Sequence, residues 1–121
     1  MTTTRSRLAW GAVLLAAACA AGTVAGAQGA RDLERGKAVY ERWCSHCHAP
    51  GPGHPGTQSL QVKYNGNLPA VLLERTDLTP DAVKVFVRQG VLSMAPFRKT
   101  EITDADLEDL AAYVARGGSG R

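Results

Sequence analysis

Apolar residues recur along this chain at helical spacing in short, well-separated stretches, with no run of strict alternation. Near the C-terminus Leu107, Leu110, Ala111 and Val114 follow the 3-4 spacing of a helix face, with Tyr113 beside Leu110. Thr103-Asp104-Ala105-Asp106 opens that stretch as a cap with acidic residues near the positive helix end, and Gly117 closes it. Thr79-Pro80-Asp81 predicts another start, with Thr79 as cap and Pro80 in the first turn. Val83, Phe86 and Val87 form its apolar face and Gly90 its end. Asp32 predicts a cap for a helix carrying Leu33, Lys37, Tyr40, Glu41 and Cys44, on which Gly36 and Tyr40 share a face. A shorter helix is expected from Asn67 and Pro69 through Glu74. Between these, Ala49-Pro50-Gly51-Pro52-Gly53-His54-Pro55-Gly56 reads as a loop, because proline lacks the donor and glycine resists ordering. The expected fold class is all-α with long loops.

The start of the chain follows different rules. Arg5 and Arg7 precede an apolar stretch from Leu8 to Ala21, and Ala25-Gly26-Ala27 offers small residues at a cleavage site. That order describes a secretory signal over residues 1–27, with a domain over 28–121 and an expected periplasmic location. The stretch is short for a span, which needs roughly 20 apolar residues. Cys19 lies inside it, but Ala16 stands where lipoprotein signals usually carry leucine, so a lipid anchor at Cys19 is not expected. Cleavage removes two of the 14 basic residues and leaves the mature chain nearly neutral against 11 acidic ones. Nucleic-acid binding, which relies on a concentrated basic face, is not expected.

The mature chain retains two cysteines, at Cys44-Ser45-His46-Cys47-His48. Cys-x-x-Cys-His is the attachment signature of c-type haem. Cysteines three apart on a helical turn can reach one porphyrin edge, which puts His48 beneath the iron. A zinc site would need a second, separable ligand pair, and a redox dithiol a βαβ setting; the sequence offers neither. A plain disulfide would give His48 no role. Haem would also supply an apolar body to a small domain with few apolar side chains of its own.

The sixth ligand follows by elimination. His46 sits inside the attachment turn, and His54 follows His48 by a loop of at most about 20 Å, too short to round the haem edge. Met94 is the mature chain's methionine, far enough downstream to reach the opposite face, and Pro96 stiffens the chain beside it. The second ring N–H of His48 is expected to donate to a backbone carbonyl, from Pro52 or Pro55. Trp43, Tyr64 and Arg75 are candidates for haem propionates, each with ordinary packing or solvation as the simpler role. Six-coordinate iron implies electron transfer without catalytic residues in this chain, and Ala95-Pro96-Phe97 is expected as the docking segment.

These residues resemble class I monohaem cytochromes c: the Cys44–His48 signature, Met94-x-Pro96 downstream, and Gly36/Tyr40 set against Leu110/Tyr113 across two terminal helices. The likeness covers nearly all of residues 31–116. It implies His48/Met94 ligation and helices folded around one covalent haem c, attached through Cys44 and Cys47. A narrower likeness rests on Trp43–His48 with Gly51–Thr57, on Arg75–Asp81, and on Met94–Asp104. These segments are similar to the cytochrome subunits of 4-cresol dehydrogenase (hydroxylating), or p-cresol methylhydroxylase. That likeness implies a partner subunit holding FAD that oxidises a para-alkylphenol. A downstream acceptor such as a copper protein or another cytochrome is then expected; the alternative is a free carrier to a terminal oxidase.

Overall fold

The computed structural model describes residues 31–118; the expected signal peptide and Cys19 lie outside them. Five helices follow one another: α1 Leu33–Trp43, α2 Ser45–His48, α3 Pro55–Tyr64, α4 Pro80–Gln89 and α5 Asp104–Ala115. A 3₁₀ turn, Leu72–Glu74, lies between α3 and α4. Among the described residues the extended pairing is a single bridge between Val91 and Met94. The all-α expectation holds.

Side-chain caps set the helix starts. Asp32 accepts from the Arg35 N–H, Thr79 from Ala82 and Thr103 from Asp106, each satisfying an amide with no partner inside its helix. Replacing Thr103 with alanine is expected to cost about 1 kcal/mol, read as a lower denaturant midpoint at unchanged slope. Gly90 ends α4 at φ 70. Cys44 both ends α1 and begins α2, so the attachment turn continues the first helix after a small break.

The frame is the crossing of α1 and α5. Gly36 sits under Asp109 and Tyr113, where a β-carbon would fall 2.8 Å from Tyr113 Cβ and closer still to the Asp109 carbonyl. The missing side chain lets the two backbones touch. One turn on, the Tyr40 and Tyr113 rings meet at 5.8 Å between centroids, tilted by 53°. Leu107, Leu110, Ala111 and Val114 are buried as their spacing predicts, together with Tyr113, Val83, Val87 and Ile102.

Two expectations fail. Residues 55–64 form α3, where the run of proline and glycine had suggested loop through Gly56. Pro55 stands in the helix's first turn, where its missing N–H costs nothing. Thr57, fully buried, donates to the Ala49 carbonyl at 3.0 Å and fastens the new helix to the attachment turn. The helix expected over 67–74 shrinks to the 3₁₀ turn. Asn65 and Gly66 adopt positive φ at the end of α3, and Val71 is extended, so three residues of helical backbone remain.

Candidate haem site

Bordering this core lies a cavity of about 750 Å³, the open space at its mouth included. Helices α2, α3, α4 and α5 contribute. Cys44 and His48 come from the attachment turn, Leu60, Lys63 and Tyr64 from α3, and Val83, Phe86 and Val87 from α4. Leu110 and Val114 of α5 form part of the lining, and Leu72, Arg75, Leu78, Val91 and Met94 complete it from the loops. Phe86, expected on the core face of α4, is 42 % exposed because it borders this cavity.

The attachment turn is tied down at three points. Tyr40 Oη donates to the His48 carbonyl at 3.1 Å, Thr57 to the Ala49 carbonyl, and His54 Nδ1 to the His46 carbonyl at 3.0 Å. Burial pushes the Tyr40 phenol up to about 12, so it remains a donor throughout the neutral range. His54 is thereby engaged at the turn itself and does not line the cavity. Cys44 is buried, its thiol pushed up to about 12 by desolvation and then by Cys47, whereas Cys47 is exposed.

His48 lines the cavity with its pKa lowered by burial, which favours the neutral imidazole that metals bind. Its Nδ1 is buried with no hydrogen-bond partner, so the expected bond to Pro52 or Pro55 is not formed. The Pro55 carbonyl lies inside α3 and accepts from Ser59 Oγ at 2.8 Å. Gly56 presses on the same ring edge instead: a β-carbon there would fall 2.7 Å from His48 Cε1 and 2.9 Å from Nδ1.

Met94 is carried by a tight turn. Val91 and Met94 exchange both backbone hydrogen bonds, at 3.0 and 2.9 Å, and Leu92 at the tip has φ 51. Gly90 lies so close beneath that a β-carbon would sit 2.9 Å from the Pro96 nitrogen. The Phe97 N–H donates to the Val87 carbonyl at 2.8 Å. Arg88 donates to the carbonyls of Phe97 and Ile102 and pairs with Asp104. These contacts anchor the chain beyond Met94 to the ends of α4 and α5.

Carboxylates guard the same segment. Arg98 holds Glu101 below its ordinary 4.5, while Lys99 and then Arg88 hold Asp104 below 3.8. A lowered folded pKa adds stability at pH values above the unfolded one and loses it as pH falls through the folded value. Stability is therefore expected to fall below about pH 4, with a shallower fall in a Glu101→Gln, Asp104→Asn variant, measured by denaturant titration across pH.

Of the three candidates for propionate contacts, Tyr64 and Arg75 line the cavity and Trp43 does not. Trp43 packs edge-on against Phe97, 5.9 Å between centroids. Leu60 and Lys63 were not anticipated, since α3 itself was not; Leu60 and Tyr64, four apart, were the legible sign of that face.

The model of one protein family, described as cytochrome c oxidase, cbb3-type, subunit III, matches residues 31–114. The chain belongs to this cytochrome c family. No curated protein and no solved structure matches it. The cytochrome's cofactor is accordingly covalent haem c. Its cavity fits such a group: a mostly apolar interior reached by a thiol, an imidazole whose outer nitrogen is sealed against protein, and a thioether. With an all-helical fold of this family, the cytochrome is an electron-transfer protein of the class I kind.

Proposed function

We propose that the cytochrome is periplasmic and accepts single electrons from the FAD of a flavoprotein that oxidises a para-alkylphenol, of the 4-cresol dehydrogenase type. The carrying observation is the convergence of Cys44, His48 and Met94 on one cavity. In this reading Cys44 and Cys47 would hold the haem through thioethers, and His48 and Met94 would ligate its iron. Haem c supplies an iron that alternates between ferric and ferrous states, and a methionine ligand favours the ferrous one. The residues around it orient and exclude. Tyr40, Thr57 and Gly56 hold the His48 turn, while Gly90 and Arg88 hold the Met94 turn. With His48 and Met94 both committed to the iron, no substrate would need to reach the metal.

The choice of flavoprotein is supported by the likeness of segments 43–57, 75–81 and 94–104 to the cytochrome subunits of such enzymes. Ala95 and Pro96 are exposed beside the cavity, with Phe97 half-buried against Trp43, which suits that segment to docking. A copper protein or a second cytochrome would take the electron onward. The family description favours a second reading, in which the cytochrome delivers electrons to a terminal oxidase without a dedicated flavoprotein.

Purification from the native host under mild conditions separates the two. Co-elution of haem and flavin absorbance at the size of a complex is the expected result. Co-elution with a membrane oxidase, or migration as a lone small domain in low salt, would overturn the flavoprotein assignment.

A further inference from the structure

The cavity lining is mainly apolar, and its charged members are Lys63 and Arg75, both placed against the Tyr64 ring. Arg75 is 8 % exposed, an unusual depth for a guanidinium in so small a domain. Its Nε donates to Asp77 Oδ1 at 2.8 Å, and its Nη2 donates to Asp77 Oδ2. Nη1 donates to Tyr64 Oη at 2.6 Å, and the guanidinium carbon stands 4.8 Å above the Tyr64 ring. Arg75 ends the 3₁₀ turn in extended backbone, and the chain bends at Thr76 and Asp77, where the Asp77 carboxylate meets the guanidinium. A guanidinium has five N–H donors in a fixed fork. Asp77 and Tyr64 take three and leave one on each Nη for a further acceptor.

The two charges are solvated unequally. The Asp77 side chain is 44 % exposed, so water screens it, whereas Arg75 faces the cavity from behind protein. Haem brings two carboxylates of its own, and the fork's free donors suit one of them. An electron arriving at the iron adds negative charge, which Arg75 favours and Asp77 opposes.

We propose that Asp77 is a positioning residue that locks the Arg75 guanidinium in the cavity wall against a haem propionate, and that the opposed charges of this pair set the reduction potential. The inference rests on the haem-binding reading above. It differs from a purely structural salt bridge in a measurable way. Breaking the bridge from either side lowers stability alike, whereas Asp77→Asn, which keeps an acceptor for the guanidinium and removes only the charge, and Arg75→Gln, which removes the cation, should move the potential in opposite directions.

The test uses the full-length, haem-loaded protein and its variants Asp77→Asn, Arg75→Gln and Arg75→Lys, with potential and thermal midpoint measured on each. Asp77→Asn is expected to shift the one-electron equilibrium about threefold toward the ferrous state, ~28 mV at 59 mV per tenfold. Arg75→Gln is expected to shift it at least as far toward the ferric state. All three variants should melt earlier than the parent. Arg75→Lys keeps the charge but loses the two-point grip, so its potential should stay nearer the parent's than that of Arg75→Gln. Shifts of the same sign in Asp77→Asn and Arg75→Gln, or an unmoved potential in Asp77→Asn, would overturn the proposal. If Arg75→Gln does not mature, Asp77→Asn still decides it: a shift toward the ferrous state supports the proposal, and an unmoved potential or a shift toward the ferric state overturns it. A parent protein without covalent haem would instead strike the haem-binding reading itself, so the two failures are distinguishable.

Discussion

Replacing Met94 with alanine is expected to lower the reduction potential by on the order of 100 mV, a modest part of the roughly 0.8 V that axial ligands span. The same variant should bind carbon monoxide rapidly when reduced, because on the proposed ligation the loss of the thioether would open a coordination position. Several features of the turn make the effect specific to the side chain. Val91 and Met94 exchange backbone bonds, which alanine leaves in place, and the Gly90 packing involves main-chain atoms. Met94 is also half-buried rather than a core residue, so its removal opens no sealed void. Spectroelectrochemical titration with a carbon monoxide challenge measures both effects. An unchanged potential and no carbon monoxide binding would take Met94 out of the ligand set.

Placing valine at Gly36 is expected to destabilise the protein by about 3 kcal/mol or more, enough to leave much of it unfolded at 37 °C. The reason is the direction of the clash. The first atom added meets the Asp109 backbone carbonyl and Tyr113 Cβ, neither of which can swing away as a long side chain could. Relief requires α1 and α5 to separate, and their separation also pulls apart the Tyr40–Tyr113 contact and the Asp32 N–H to Asp109 bond of 3.0 Å. Tyr40 in turn holds the His48 carbonyl, so the helix crossing and the haem site loosen together. Denaturant unfolding monitored by far-ultraviolet circular dichroism checks this. A loss below about 1 kcal/mol would mean that the crossing is more pliable than its contacts indicate.

The helix crossing and the attachment turn were legible because they depend on local chemistry. Asp32, Thr79 and Thr103 act on amides three residues away, and the Cys44–His48 spacing is set by a single helical turn. Gly36 with Tyr40 could be read as a contact because small and aromatic residues four apart make a recess and a knob on one face. What the sequence concealed depends on partners distant along the chain. Pro55 and Gly56 carry local preferences for a turn, yet the Thr57 hydroxyl finds the Ala49 carbonyl and α3 forms around that anchor.

The same loss of locality explains the mistaken partner for His48. Choosing between Pro52 and Pro55 presupposed a loop, and the Pro55 carbonyl is committed once that segment is helical. Arg75 shows the reverse case. Alone, an arginine in this position reads as a solvated charge; in the fold it is buried, with Tyr64 of α3 and the neighbouring Asp77 as its hydrogen-bond partners. Phe86 is similar: helical spacing put it on an apolar face correctly, but that face borders the cavity instead of the core.

The most direct test is the intact mass of the acid-denatured protein, taken after expression with haem-maturation machinery, alongside a parallel Cys44→Ala, Cys47→Ala variant. The parent is expected to carry the mass of exactly one haem through denaturation and to show a reversible one-electron transition beforehand, while the double variant has the mass of the bare chain. A parent at the bare polypeptide mass, or one that loses its haem on denaturation, would contradict the covalent attachment on which the whole account stands.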